Sequence, residues 1–94
     1  EDTKSSVRAV VSSAFKPQID VRGQTGDDAW FMVDNYIDSA NLASVKTVTV
    51  LHGKGTGALR KALWGYFKSD PRIASFRPGE YGEGDSGVTV LELK

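Results

Sequence analysis

At 94 residues and 39% hydrophobic content, the chain suffices for one domain with a single modest core. The absence of cysteine excludes a disulfide framework and a thiolate metal site, and no apolar run approaches the ~20 residues of a membrane-spanning helix. Twelve basic residues balance twelve acidic ones, which excludes a uniformly basic nucleic-acid sponge.

The chain opens at Glu1 without a methionine or a basic-then-apolar leader, so the expectation is a cytoplasmic piece of a larger protein. Residues 1–16 are polar around one apolar patch, Val7 to Val11, and read as a linker with an ordered end; residues 17–94 read as the domain. After Pro17, the alternation Ile19-Asp20-Val21-Arg22 predicts a short strand stopped by Gly23, with Asp20 and Arg22 on one face. Thr25 followed by Asp28 forms a capping-box-like start. Ala29, Val33, Tyr36, Ile37 and Ala40 then recur at helical spacing to about Leu42. Val45–Leu51 reads as a buried strand and Gly53–Gly57 as a loop. A second helix, capped by Thr56, follows with Leu59, Ala62, Leu63, Tyr66 and Phe67 as its inner stripe. It ends before Pro71. Ile73–Arg77 and Val88–Leu93 are strands joined by an acidic loop carrying Gly79, Gly82, Gly84 and Gly87. The order βαβαββ implies right-handed crossovers and a two-layer α/β sandwich: a four-stranded mixed sheet, two helices on one face, the other face open.

Charge is segregated along this order. Residues 52–78 carry Lys54, Arg60, Lys61, Lys68, Arg72 and Arg77 against Asp70 alone, a net +5, while residues 17–51 and 79–94 each come to −3. Such a stretch is either a solvated helix face or a footprint for a polyanion. The loop His52-Gly53-Lys54-Gly55-Thr56-Gly57 introduces it, between a strand and a helix. Its glycines permit close backbone approach, the helix N-terminus directs N–H donors outward, and Lys54 adds an ammonium, so phosphate is a natural guest. The spacing matches neither a P-loop nor a dinucleotide loop, and no nucleotide is expected to bind this domain. Tight-turn chemistry accounts for the glycines equally well.

His52 is the only histidine. It reads either as a satisfied core residue or as the acid/base group of a phosphate site, with Lys54 stabilising charge on phosphorus oxygens. Parallel pairing of the first two strands would bring Asp20 and Arg22 to the same edge. There Asp20 could orient His52 or hold a divalent ion and Arg22 could clamp phosphate, or the two form an exposed ion pair of little energetic worth. Trp30, Phe31, Trp64 and Phe76 belong either to the core or to a base-stacking surface.

Three segments in order resemble the small MutS-related (Smr) domain, in the version that ends the second family of bacterial MutS-like ATPases. They are Ile19-Asp20-Val21-Arg22-Gly23, His52 through Arg60 behind the strand Val48–Leu51, and Pro78 through Val90. The resemblance implies an endonuclease or nucleic-acid-binding module with the sandwich inferred above. Its active surface is carried here by Asp20, Arg22, His52, Gly53, Lys54 and Gly55. It also implies a dimeric parent ATPase, which alone would bind ATP, and links to recombination suppression and to ribosome rescue. RNA-cleaving relatives often carry Asp-x-His in the first motif, where this chain has Asp20-Val21-Arg22; that departure favours DNA nicking or binding.

The resulting expectation is an endonuclease domain of little sequence preference, monomeric when isolated, acting on DNA or RNA, the ribosome included, and not on membranes. Asp20 is assigned as general base or ligand to Mg²⁺ or Mn²⁺, His52 as acid/base, and Arg22 and Lys54 as phosphate and transition-state partners. Gly53, Gly55, Thr56, Gly57, Arg60 and Lys61 are expected to hold the nucleic acid. The competing expectation is a binding module that docks its parent onto DNA or the ribosome without cutting.

Overall fold

The computed structural model describes residues 15–80 and 87–94. The linker reading of residues 1–14, and Gly82 and Gly84 of the acidic loop, lie outside them. Six elements follow one another: β1 (Gln18–Asp20), α1 (Gly26–Leu42), β2 (Thr47–Leu51), α2 (Ala58–Ser69), β3 (Ile73–Pro78) and β4 (Val88–Leu93). The sheet order is β1-β2-β4-β3, with β1 and β2 parallel and β4 antiparallel to both of its neighbours. This is the expected βαβαββ sandwich on a mixed sheet.

The last strand enters the middle of the sheet because its sequence suits no edge. All of Val88-Thr89-Val90-Leu91-Glu92-Leu93 except Glu92 is buried, and unpaired edge groups would be costly there. Register sets the faces. Val48 lies opposite Leu91 and Val50 opposite Thr89, so these residues, with Leu93, turn toward the helices. They meet Ala29, Val33, Ile37 and Ala40 of α1 and Leu63 and Phe67 of α2 in one core. No helix covers the other face, as expected, and Gln18, Asp20, Thr47, Ser75 and Glu92 are exposed on it. Val88 and Val90 are only 3% and 4% exposed there, because an inner strand has neighbours on both sides, here Leu51, Thr49 and Arg77.

Thr25 caps α1 as its sequence suggests, accepting from the Asp28 amide at 3.1 Å. The helices meet at Gly26, where an added Cβ would lie 3.0 Å from that of Ala62. Ala62 is therefore a seam residue, largely exposed, rather than part of the inner stripe. Trp30 stacks on Tyr66 at 4.8 Å, and Phe76 packs against Trp64 and Phe67, so three of the four aromatics in question are packing residues. Phe31 is 67% exposed.

One of the cations counted in the basic stretch is spent internally. Arg72 binds Asp70 through Nε and Nη2 at 3.0 and 2.6 Å, Asp34 at 2.6 Å and Asp38 at 3.0 Å, tying α1 to the start of β3. This pairing raises the Arg72 pKa and lowers that of Asp70, chiefly through their mutual hydrogen bonds.

Candidate functional site

Because β1 and β2 run parallel with Asp20 opposite Leu51, both chains leave the sheet at one edge. The turn Gly23–Gly26 and the loop His52–Gly57 then face each other across a groove of about 430 Å³. The loop needs its glycines: Gly53, Gly55 and Gly57 have φ of 83°, 38° and 85°, a region that side chains disfavour. The amides of His52 and Gly53 both donate to the Gly87 carbonyl, at 3.1 and 2.9 Å, and Gly57 donates to the Lys54 carbonyl at 3.0 Å.

Two helix N-termini line this groove, and they differ. That of α1 is capped by Thr25 and carries Asp27 and Asp28 in its first turn. That of α2 begins at Gly57, not Thr56, and has neither a side-chain cap nor an acidic residue. Thr56 stands one position too early to be the cap, because the left-handed turn falls at Gly57; its hydroxyl accepts from the Ala58 amide at 3.3 Å. Among the described residues, the amides of Lys54, Gly55, Thr56, Leu59 and Arg60 meet no acceptor. Together with the helix dipole they make an anion cradle.

Asp20 and Arg22 are not among the residues that line the groove; they stand just before Gly23, the first residue of its turn. Arg22 donates from its amide and Nε to Asp20 Oδ1, both at 3.0 Å, and from Nη2 to Oδ2 at 2.8 Å. These bonds hold the Asp20 carboxyl at about 2 and push the guanidinium up. The Arg22 stem lies over Gly53, where an added Cβ would sit 3.4 Å from Arg22 Cγ. Gly53→Ala is accordingly expected to destabilise the domain by about 1–2 kcal/mol through its left-handed backbone, read as a lowered urea midpoint. A divalent ion finds a poor donor set: both Asp20 oxygens are engaged, and no cluster of three His, Cys, Asp or Glu occurs among the described residues.

His52 is 5% exposed and has both ring nitrogens occupied. Nδ1–H donates to the Gly53 carbonyl at 2.9 Å, while Nε2 lies 2.8 Å from Thr89 Oγ1, which also accepts from Trp64 Nε1–H at 2.8 Å. One proton arrangement satisfies all of these: Trp64 donates to Thr89, and Thr89 donates to Nε2 of a neutral imidazole. Burial, above all, pushes the His52 pKa below 6.5, opposed by the Gly53 bond and aided by the positive charge of Arg60. Since the unfolded chain then binds the proton more readily, stability is full above pH 6.5 and is lost as pH falls through that value toward the folded pKa. Urea midpoints should therefore drop between pH 7.5 and 5, with a smaller drop in His52→Gln; identical pH profiles in the two proteins would contradict this.

The loop residues Gly53 through Gly57 and Arg60 line the groove with His52, whereas Lys61 lies beyond it on α2, beside a second groove shared with Thr56, Gly57 and Arg60. Thr89 was missed by motif reasoning. Its signal was a hydroxyl on the inward face of an otherwise apolar buried strand, which requires a partner.

The Smr domain family model matches residues 19–94. Endonuclease MutS2 of Caldicellulosiruptor bescii is 57% identical over 76 residues, and that of Acetivibrio thermocellus 47% identical over 83. These alignments cover 81% and 88% of this chain but 10% of each relative, so the chain spans about a tenth of their length. The Smr domain of Thermus thermophilus MutS2 superposes with a TM-score of 0.79 at 42% identity, covering 82% of this chain and 96% of that one. YdaL, a stand-alone small MutS-related protein from Escherichia coli, shares the fold with a TM-score of 0.76 at 18% identity, over 83% of this chain and 64% of its own. By the match of residues 19–94, this chain belongs to the Smr domain family.

Proposed function

We propose that this domain is the nucleic-acid endonuclease module of a larger MutS-like ATPase, nicking DNA with little sequence preference. The observation that carries the reading is the groove at the carboxyl edge of β1 and β2: unpaired loop amides, an uncapped helix N-terminus, and Lys54 and Arg60 without acidic partners among the described residues. A phosphodiester fits it by charge and by donor geometry. Arg22, which already offers a planar fork to the Asp20 carboxylate, can offer the same fork to a phosphate beside the groove. Asp20 then serves two purposes. It holds Arg22 ready, and it is the nearby carboxylate released when Arg22 turns to the phosphate. The names of the long relatives support cleavage as the chemistry.

A second reading, docking without cutting, is favoured by one specific observation. His52 offers no free nitrogen to the groove, so the acid/base role assigned to it requires the Thr89 or Gly53 bond to break. Cleavage of supercoiled plasmid and of structured RNA by wild type, Asp20→Asn and His52→Ala, each with Mg²⁺, Mn²⁺ or EDTA, separates the readings. Cutting lost in Asp20→Asn supports the nuclease and reports its metal requirement. Retained binding with intact substrate in every sample supports the docking module.

A further inference from the structure

The proposed phosphate site does not account for the second groove, of about 500 Å³, which continues from it along α2. Arg60, Lys61, Trp64, Gly65 and Lys68 fall at helical spacings that share one side of α2, and the helix contains no Asp or Glu. None of these three cations has an acidic partner among the described residues. The Arg60 guanidinium lies over the Trp64 ring, 5.5 Å from its centroid. That ring is itself fixed, its indole N–H bound to Thr89 and its edge packed on Phe76.

A guanidinium lying over a fixed indole presents a planar cation beside an aromatic ring. Planar cations of this kind attract the face of a nucleobase. A base inside a duplex presents no such face, whereas an unpaired one does. Beside this pair, Gly65 leaves the helix surface flat, since an added Cβ there would meet nothing within 4 Å. Lys61 and Lys68 stand about 10 Å apart along the axis, a span of about two to three nucleotides.

We propose that the Arg60–Trp64 stack seats an unpaired base, with Lys61 and Lys68 on the flanking phosphates, so that this domain takes single-stranded or frayed nucleic acid in preference to intact duplex. This rests on the nucleic-acid reading of the first groove and adds the class of substrate to it. Fluorescence anisotropy with a labelled 12-nucleotide single strand, a blunt duplex of equal length and the same duplex with a six-nucleotide overhang, at matched salt, tests it. The single strand and the overhang are expected to bind about tenfold more tightly than the blunt duplex. Arg60→Lys retains the charge but not the plane, and should abolish that preference, so that the single strand, the overhang and the blunt duplex bind this variant about equally. The exposed double variant Lys61→Glu/Lys68→Glu should weaken single-strand binding and flatten its salt dependence. Equal affinity of wild type for all three probes, or a preference indifferent to Arg60→Lys, overturns the base seat and leaves the first groove standing. Absence of binding to any probe overturns both.

Discussion

Thr89→Val is expected to destabilise the domain by about 2–4 kcal/mol, although valine matches threonine in shape and leaves no cavity. The hydroxyl is fully buried and serves two partners at once, the indole N–H of Trp64 and Nε2 of His52. Valine would strand both at this buried position, and an orphaned buried polar group costs about 1–3 kcal/mol. Trp64→Phe removes a donor rather than stranding one and should cost less. Urea unfolding with an unchanged m-value is the measurement, and a loss for Thr89→Val below about 0.5 kcal/mol would refute the three-residue network. The functional consequence reaches the loop, because the His52 ring that Thr89 orients also holds the Gly53 carbonyl. A planar trans peptide points the Lys54 amide the opposite way, so this bond helps to set the direction of one cradle donor.

The second large effect is expected in Arg22→Gln/Lys54→Ala. Both side chains are exposed and lie beside the glycine loop, so folding should be unaffected while affinity for nucleic acid falls about 10–100-fold at low salt. Removing two phosphate contacts should also lower the slope of log K against log salt by about 2. Affinity and slope equal to wild type would place the nucleic acid elsewhere on the surface. The Asp20 carboxyl, held at about 2 by the hydrogen bonds from Arg22, stays ionised, and binding through this pair should not titrate between pH 6 and 9.

Much of this architecture was legible in the residues. Helix α1 runs over the stretch that Thr25, Asp28 and the apolar period marked out, and β4 has the bounds that its β-branched run suggested. Local signals sufficed there, because caps and periodicity act within a few residues. Boundaries slipped where the deciding contact was tertiary. The predicted strand Val45–Leu51 begins only at Thr47, where Glu92 becomes available to pair, and the cap of α2 moved to Gly57 with the left-handed turn.

Composition and motif order were enough to settle the βαβαββ series, the glycine loop between strand and helix, and the family to which they belong. The state of the individual groups was decided only by packing. Arg72 looked like part of a basic footprint until three carboxylates from α1 and from the turn before β3 closed on it. His52 carries no sign in its neighbours of being buried and neutral; that follows from Thr89, 37 residues away, arriving on the inserted strand β4. The physical reason is the same in both cases. Periodicity and turn chemistry are short-range and are written in adjacent residues, whereas charge neutralisation and hydrogen-bond satisfaction depend on which distant strand or helix the sheet order brings alongside.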